Sequence, residues 1–268
     1  MTGTESTDDL ALALRLADVA DVLSMSRFRA DDLVVDTKPD LTPVSEADRA
    51  VERALRDELA VSRPADSVLG EEYGEQGSSQ RQWILDPIDG TKNYVRGVPV
   101  WASLIALMVD GVVDVGVVSA PALARRWWAR RGSGAFAMEP GSGQPRRLRV
   151  SSVRSLTDAS LSYSDAIGWA ERGARDGLAS LVNGTWRQRA YGDFWSHMLV
   201  AEGAVDVAAE PQLETYDMAA LIPVVEEAGG RITAYDGGPA LGGGSAVTTN
   251  GLLHEAVLGH LASGPGQK

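Results

Sequence analysis

The chain has 268 residues, enough for one large domain or two modest ones, and its 44% hydrophobic and 23% charged residues are typical of a globular protein. Its 37 Asp and Glu against 25 Lys and Arg give a net charge of −12, which disfavours nucleic-acid partners because the protein repels a phosphate backbone. The absence of cysteine excludes disulfides, Cys-ligated metals and a thiol nucleophile, and it fits a reducing compartment.

Neither a secretory signal nor a membrane span is expected. The first residues are acidic and polar, without the basic and apolar parts of a signal peptide. The longest strongly apolar stretch, residues 98–109, is shorter than the ~20 residues that a helix needs to cross a bilayer. We therefore predict a soluble, cytoplasmic protein without membrane contact.

Two helices open the chain, and strands follow them. Apolar residues at helical spacing predict an amphipathic helix over residues 8–28. A second helix is predicted to begin at Ser45, where Asp48 stands in the capping-box position. The β-prone runs that follow predict strands at residues 67–69, 82–85, 102–109, 112–119 and 126–130. Asp110 and Gly111 predict a tight hairpin turn between two of these strands.

The second half alternates between helix and strand patterns. Residues 139–147 contain Gly and Pro without apolar periodicity, which indicates a surface loop near a domain boundary. We divide the chain into an N-terminal α+β half, residues 1–145, and a C-terminal α/β half, residues 146–268. The elements predicted beyond the loop are helices at residues 170–182 and 194–203, a helix ending at 229–230, a last helix to about 261, and strands near 161, 187, 205–209, 231–234 and 246–249. This alternation predicts an α/β fold class.

The most informative motif is Asp86-Pro87-Ile88-Asp89-Gly90-Thr91. Pro87 favours extended backbone at Asp86, which predicts that Asp86 lies at the C-terminal end of a strand. Gly90 permits a sharp turn, after which the carboxylates of Asp86 and Asp89 can converge. The backbone N–H groups of Gly90 and Thr91 are then available to bind an anion at the start of a short helix.

Further carboxylates come from Glu71, which follows a predicted strand, and from Asp217, near a predicted helix start. If they meet Asp86 and Asp89, two like charges 4 Å apart repel by roughly 4 kcal/mol at an effective dielectric of 20, and a divalent cation would relieve that repulsion. Carboxylate ligands without cysteine favour Mg²⁺ or Mn²⁺ over zinc. The alternative interpretation of the motif is a solvated Asp-Gly turn.

Together these residues resemble the inositol monophosphatase-like family of metal-dependent phosphatases. The motif at residues 86–91 is preceded by Gly70-Glu71-Glu72 and followed by Tyr216-Asp217, as in that family. The weaker similarities are to its lysine loop at residues 38–40, its glycine turn at 132–136 and the end of its late helix at 226–230. The resemblance covers residues 38–230 and implies a layered α-β-α-β-α sandwich, usually a homodimer. This chain departs from the family at Tyr216, where Trp is usual, and at Pro223, which should bend the following helix.

The resemblance also implies roles for individual residues. One Mg²⁺ would be held by Glu71, Asp86 and the carbonyl of Ile88. A second would be held by Asp86, Asp89 and Asp217, and Glu71 would help to place a weaker third. Thr91, with Asp48 behind it, would orient the attacking water, and the N–H groups of Gly90 and Thr91 would bind phosphate. The predicted substrate is a small phosphomonoester.

The substrate-facing residues resemble the histidinol-phosphatase branch of the family. Glu210 stands at the leaving-group position, and Asp193 lies within residues 191–195, which replace the small residues typical of inositol phosphatases. With Glu214, these residues would offer acidic partners to an ammonium or imidazolium group. Trp186 or Tyr191 would stack on a ring. The resemblance thus implies hydrolysis of L-histidinol phosphate in histidine biosynthesis.

Several alternatives remain open. Inositol-1-phosphate or another small sugar phosphate could be the substrate, or the protein could be a catalytically silent regulator that binds a phosphorylated ligand. Asp193 could simply cap the helix that follows it. Residues 125–131 interleave Arg and Trp as nucleic-acid patches do, but with a net charge of −12 they are interpreted as an edge strand or dimer contact. His197 is interpreted as structural, with a place in the lining of the substrate pocket as the alternative.

Overall fold

The computed structural model describes residues 3–39 and 42–262. Asp40, part of the predicted lysine loop, lies outside these ranges. Within them, none of the helices is both long enough and apolar enough to cross a membrane.

The helices are numbered in chain order, and so are the strands. The helices are α1 (Gly3–Arg27), α2 (Glu46–Ser62), α3 (Thr91–Val95), α4 (Ala166–Glu171), α5 (Arg175–Gly184), α6 (Asp193–Ala201), α7 (Thr215–Ala219), α8 (Leu221–Glu227) and α9 (His254–Leu261). The strands are β1 (Val35–Thr37), β2 (Pro43–Ser45), β3 (Ser67–Gly70), β4 (Gly74–Gln76), β5 (Arg81–Asp89), β6 (Ala102–Val109), β7 (Val112–Ala120), β8 (Arg125–Arg130), β9 (Gly134–Met138), β10 (Arg146–Arg147), β11 (Ser160–Tyr163), β12 (Arg187–Arg189), β13 (Val207–Glu210), β14 (Arg231–Thr233) and β15 (Ala246–Thr249).

A large sheet separates two helical layers. Its strands have the order β10-β9-β8-β7-β6-β5-β3-β4, and only the β3–β5 pair is parallel. Consecutive side chains of a strand point to opposite faces. On one face Trp83 and Leu85 pack against Leu16 of α1 and Leu55 of α2. On the other face, the side chain of Ile84 belongs to the core shared with α6, α7 and α8.

A second sheet completes the fold. Its order is β12-β11-β13-β15-β14. One face shares the central core, to which Ile232 and Ala246 contribute. On the other face, Leu161 and Val207 pack with α4, α5 and α9. The layers are therefore α1 and α2, the large sheet, α6 to α8, the small sheet, and α4, α5 and α9, which confirms the predicted α-β-α-β-α sandwich.

Local signals correctly predicted several elements. Ser45 caps α2, and the capping box with Asp48 is complete. Asp110 and Gly111 both adopt positive φ, of 52° and 79°, in the turn between β6 and β7, as a two-residue hairpin with the sheet's right-handed twist requires. Pro223 lies in the first turn of α8, and the helical segment is divided at Ala220 because proline has no N–H to donate back.

Two predictions are wrong. The helix predicted over residues 170–182 is instead α4 and α5, because Gly173 takes a φ of +74° and ends α4. Residues 125–130 are not an edge strand, since β8 lies between β7 and β9. Trp127 is fully buried there, and the arginines pair with carboxylates, as Arg126 does with Asp21 at 2.6 Å. The dimer contact stays a prediction.

Candidate active site

Parallel pairing of β3 with β5 brings the first two acidic residues together. Gly70 pairs with Leu85, so Glu71 and Asp86 follow at the same edge of the sheet. The regular pairing of β5 with β6 stops at Asp86 and resumes at Asp89, and Ser103 Oγ donates to the Pro87 carbonyl at 2.7 Å within this bulge. The strand thus continues to Asp89, four residues beyond the end predicted at residue 85, and the bulge redirects Asp89.

A sharp turn follows Asp89. Gly90 has a φ of +83° and stands before α3, as predicted. A Cβ on Gly90 would lie 3.0 Å from the Val100 carbonyl and 3.1 Å from Asp193 Oδ2, so a side chain has no room there. Thr91 is the first residue of α3, and its hydroxyl can donate to the Ile88 carbonyl at 3.0 Å or to Asp48 Oδ1 at 3.2 Å.

Asp48 lies behind Thr91, as the resemblance implied. It is fully buried on α2, and its Oδ2 accepts hydrogen bonds from Ser45 N at 2.9 Å and Ser45 Oγ at 2.5 Å. Burial raises the pKa of Asp48, although the bonds from Ser45 lower it. Asp48 can therefore take up a proton from Thr91 more readily than an exposed aspartate could.

Asp86, Asp89 and Asp217 form an acidic cluster, in which one carboxylate oxygen from each lies within 4.8 Å of the other two. Asp217 comes from α7, where its Oδ2 accepts the Glu214 N–H at 2.7 Å. Asp86 is only 1% exposed, and its Oδ1 has no hydrogen-bond partner among the described residues. An unpartnered buried carboxylate oxygen beside two further carboxylates fits a hard divalent cation, which takes oxygen ligands.

The pKa values of the acidic cluster are raised by burial and by repulsion between its carboxylates. Burial raises the pKa of Asp86 well above its usual range, and the charges of Glu71, Asp89 and Asp217 raise it further. Burial also raises the pKa of Asp89, with contributions from Asp193 and Asp217, and that of Asp217 to about 7. A bound cation would favour the charged carboxylates instead.

Glu71 stands at the margin of this cluster. Its charge raises the pKa of Asp86, but its Oε1 lies 2.7 Å from Lys38 Nζ. The same ammonium lies 2.6 Å from Glu72 Oε1. Burial alone would lower the pKa of Lys38, yet the hydrogen bonds to the two glutamates raise it. Glu71 therefore lies between Lys38 of the predicted lysine loop and the acidic cluster, and it interacts with both.

Two predicted substrate residues lie next to the acidic cluster. Glu210 ends β13 and is 5% exposed; its Oε2 accepts a hydrogen bond from Ser164 Oγ, while its Oε1 has no partner among the described residues. Burial raises the pKa of Glu210 to about 8, and the charges of Asp193 and Asp217 add to the shift. Asp193 Oδ2 accepts from Asn93 Nδ2 at 3.0 Å. Burial raises the pKa of Asp193 as well.

Asp193 does not cap the following helix. The N-cap of α6 is Gly192, and Asp193 makes no side-chain capping bond. The carboxylate that accepts an N–H from the first turn is Asp89, whose Oδ2 lies 2.8 Å from Phe194 N. The capping alternative for Asp193 is therefore wrong, and its carboxylate faces Asn93 instead.

The other three substrate candidates are placed differently. Tyr191 packs edge-to-face on Trp195, with 5.8 Å between ring centroids. Glu214 is exposed, and its carboxylate caps α7. Trp186 is 66% exposed and precedes β12, whose parallel pairing with β11 puts it at the opposite end of the small sheet from Glu210. The structure thus brings Asp193 and Glu210 together but does not bring Trp186 to them.

Sequence reasoning missed Asn93 and Ser164. Asn93 donates both to Asp193 and to the Val100 carbonyl at 2.9 Å. No local pattern connects Asn93 with a carboxylate 100 residues away. Ser164 follows β11, which runs parallel to β13, so its position beside Glu210 follows from strand order. The rule that carboxyl ends of parallel neighbours meet at one sheet edge could have found it.

A five-layered α/β fold that gathers three carboxylates beside a sharp turn matches the class of metal-dependent phosphomonoesterases. The profile of the inositol monophosphatase family matches residues 6–264, and the chain belongs to this family. The resemblance seen in the sequence is thereby confirmed.

Known relatives cover nearly the whole chain. A histidinol-phosphatase from Mycobacterium tuberculosis is 63% identical over 260 residues, covering 97% of this chain and 100% of the relative. One from Streptomyces coelicolor is 55% identical over 258 residues, covering 95% and 97%. The solved inositol monophosphatase from Anabaena superposes with a TM-score of 0.84 at 27% identity, covering 98% of each chain. The extragenic suppressor protein suhB from Bartonella henselae superposes with a TM-score of 0.86 at 30% identity, covering 96% of this chain and 99% of that one.

Proposed function

We propose that the protein hydrolyses L-histidinol phosphate to L-histidinol and phosphate in a Mg²⁺-dependent reaction. The observation that carries this proposal is the position of Asp193 and Glu210 beside the acidic cluster, because both charges act on Asp89. The two histidinol-phosphatases that share 63% and 55% of their aligned residues with this chain support the same substrate.

The chain offers ligands for more than one cation. Asp86, Asp89 and Asp217 would hold one Mg²⁺, and Glu71, Asp86 and the Ile88 carbonyl a second, with Glu71 available to a third; Mn²⁺ has the same ligand preferences. When bound, these cations offset the negative charge of the phosphoryl group and lower the pKa of water. They are needed because a phosphomonoester carries about −1.5 to −2 charges and the protein itself is acidic.

Thr91 and Asp48 orient the nucleophile. A water that donates to Thr91 Oγ1 is aligned for attack on phosphorus, while the Thr91 hydroxyl donates to Asp48 Oδ1, 3.2 Å away. As the new P–O bond forms and the ester P–O bond to L-histidinol breaks, the water proton passes to Thr91 and the Thr91 proton passes to Asp48, whose pKa burial has raised. The departing alkoxide takes a proton from solvent water and leaves as L-histidinol. The backbone N–H groups of Gly90 and Thr91 bind a phosphoryl oxygen during the attack.

Asp193 and Glu210 select the leaving group. Histidinol carries an ammonium and an imidazole, whereas a polyol needs neutral hydrogen-bond partners. A buried carboxylate without a cation is unfavourable, so an ammonium that donates to Glu210 Oε1 satisfies an atom that has no partner among the described residues. Tyr191 and Glu214 are proposed as further contacts, whereas Trp186 lies too far away, at the opposite end of the small sheet.

A phosphate-release assay tests this proposal. Purified protein with Mg²⁺ is given L-histidinol phosphate, inositol-1-phosphate or fructose-1,6-bisphosphate in turn. We expect the highest kcat/KM with L-histidinol phosphate. A higher value with either other substrate would replace the substrate assignment with a sugar-phosphate one, and no turnover of any substrate would favour a silent regulator.

We also propose that the protein is a homodimer in the cytoplasm. Its chain is proposed to divide into two halves, residues 1–145 and residues 146–268. The homodimer follows the family resemblance, and Arg131, the exposed end of residues 125–131, is proposed to lie in the contact. The mass in solution, measured by light scattering, tests the dimer. A reversal of charge at Arg131, which is exposed, tests the surface.

A further inference from the structure

A buried carboxylate on α2 lies beneath the turn that carries Glu71. Glu52 is fully buried, one helical turn after Asp48. Its Oε2 accepts a hydrogen bond from Glu72 N at 2.7 Å, and its Oε1 accepts from Tyr73 N at 3.2 Å. Arg56 Nε donates to Oε1 at 2.8 Å. The carboxylate is thus surrounded by donors, two of which are backbone groups of the turn that follows β3.

Gly70, the residue before Glu71, leaves room for the Glu52 carboxylate because it has no side chain. A Cβ on Gly70 would lie 1.9 Å from Glu52 Oε1, a distance that no real contact allows. Gly70 is paired with Leu85 in the sheet, so its backbone cannot move away without loss of β-pairing. A side chain at position 70 would displace the Glu52 carboxylate from its donors.

Glu52 therefore restrains the residues on both sides of Glu71. Gly70 contacts its carboxylate and Glu72 is hydrogen-bonded to it, while the N–H of Glu71 donates to the Leu85 carbonyl at 3.2 Å. From this restrained backbone, Glu71 Oε1 lies 2.7 Å from Lys38 Nζ, and the Glu71 charge acts on Asp86.

We propose that Glu52 is a positioning residue for the cation site. It touches neither substrate nor cation, and it sets the direction of Glu71 by holding the turn at residues 70–73. The inference rests on the proposed role of Glu71 as a ligand. Since Asp48 and Glu52 are one turn apart on α2, the same helix supports both the water-orienting pair and this turn.

The test is a binding titration that needs no substrate. The full-length E52Q variant keeps the side-chain volume but presents an NH₂ group to donors. Binding of Mn²⁺ alone is followed through the paramagnetic resonance signal of the free ion. We expect affinity to fall about tenfold or more, the usual effect of losing a group that orients a ligand. The matched control is E58Q on the same helix, because the Glu58 side chain is exposed and, among the described residues, accepts only from Ser62 Oγ at 3.1 Å.

Two further variants separate positioning from a general structural role. If Glu52 acts through Glu71, E52Q adds no further loss of affinity in an E71Q background. G70A disturbs the same contact, because its new Cβ displaces the Glu52 carboxylate, and it should weaken Mn²⁺ binding in the same way. This variant provides the test if E52Q does not fold.

A lower melting temperature for E52Q with unchanged Mn²⁺ affinity would overturn this inference, as would an equal loss in the E71Q background. If the wild-type protein itself does not bind Mn²⁺, the proposed metal-dependent function fails instead.

Discussion

The backbone N–H of Phe194 donates a 2.8 Å hydrogen bond to Oδ2 of Asp89, a residue 105 positions earlier in the chain. Gly192, the N-cap of α6, has no side chain to satisfy the first N–H groups of that helix. Asp89 fills this role from the large sheet while it also belongs to the acidic cluster. The helix that carries Asp193 is therefore attached directly to a proposed cation ligand.

This double role predicts different results for two substitutions of Asp89. D89N removes the charge but keeps an oxygen that can accept from Phe194 N, so activity should fall by about 10³-fold or more while the cap of α6 is kept. D89A should lose the same activity and be about 1 kcal/mol less stable than D89N, because the N–H groups of α6 lose their acceptor. Steady-state kinetics and urea unfolding measure the two effects. Equal stability of D89N and D89A would contradict the capping role.

The hydrogen bond from Asn93 to Asp193 predicts coupled effects on substrate selectivity. D193N should reduce kcat/KM for L-histidinol phosphate about 10- to 100-fold more than for inositol-1-phosphate, the effect of losing a charge-assisted hydrogen bond. N93A should shift the ratio in the same direction by releasing the carboxylate. Because the loss of the Asn93 bond to Val100 affects both substrates alike, the ratio cancels it.

The double variant N93A/D193N completes this test. Its selectivity should equal that of D193N if Asn93 acts through Asp193. An additive loss in the double variant would mean that Asn93 affects selectivity by another route, and equal losses for both substrates in D193N would refute the proposed role of Asp193.

Glu210 predicts a pH dependence of stability in metal-free protein. Burial raises its pKa from about 4.5 to about 8. The folded state thus binds more protons than the unfolded chain between these values, so the contribution of Glu210 to stability falls as pH rises, by up to about 1.4 kcal/mol per pH unit. E210Q lacks this penalty, and its melting temperature relative to wild type should be higher at about pH 8.5 than at about pH 5.

Thermal denaturation in the presence of a chelator provides the measurement for Glu210. The control is E58Q, which replaces an exposed carboxylate of α2. A constant difference between E210Q and wild type across the same window would show that Glu210 titrates at its ordinary pKa.

The acidic cluster predicts that cations stabilise the fold. Mg²⁺ should raise the melting temperature of wild type, since it relieves repulsion among Asp86, Asp89 and Asp217 and binds only the folded protein. In the presence of a chelator, D86N should melt at a higher temperature than wild type, because it removes a buried charge whose Oδ1 has no partner among the described residues. The Mg²⁺-induced rise should also shrink in D86N. A D86N protein that melts below wild type in chelator would argue against this account.

The contact between the large sheet and the central helices is predicted to tolerate no added methyl group. A Cβ on Gly116 of β7 would lie 2.3 Å from the Ala220 carbonyl, between α7 and α8, and 2.6 Å from Pro223. G116A should therefore cost about 1–3 kcal/mol. Urea unfolding of G116A and wild type measures this loss, and an unchanged stability would contradict the close contact.

Much of the fold follows from short stretches of the chain. The capping box at Ser45 and Asp48 and the positive-φ turn at Asp110 and Gly111 depend on neighbours within three residues, so their patterns were sufficient. The break at Gly173 was not predicted because apolar periodicity continues across it. The interior position of β8 was not predicted because strand order depends on β9, which returns after the glycine turn and pairs with it.

The sequence by itself determined the chemistry of the site. The spacing of Asp86, Asp89 and Thr91 is local, and the bulge and turn that orient them arise from Pro87 and Gly90 within the same six residues. Only the tertiary structure decided which side chains contact the other acidic residues of the site. Asn93 donates to Asp193, and Ser164 donates to Glu210. Glu52 lies beneath Glu71 and accepts from the N–H of Glu72. Such contacts join residues 20 to 100 positions apart. They depend on which strands pair and how helices pack, and no periodicity within one segment encodes that information.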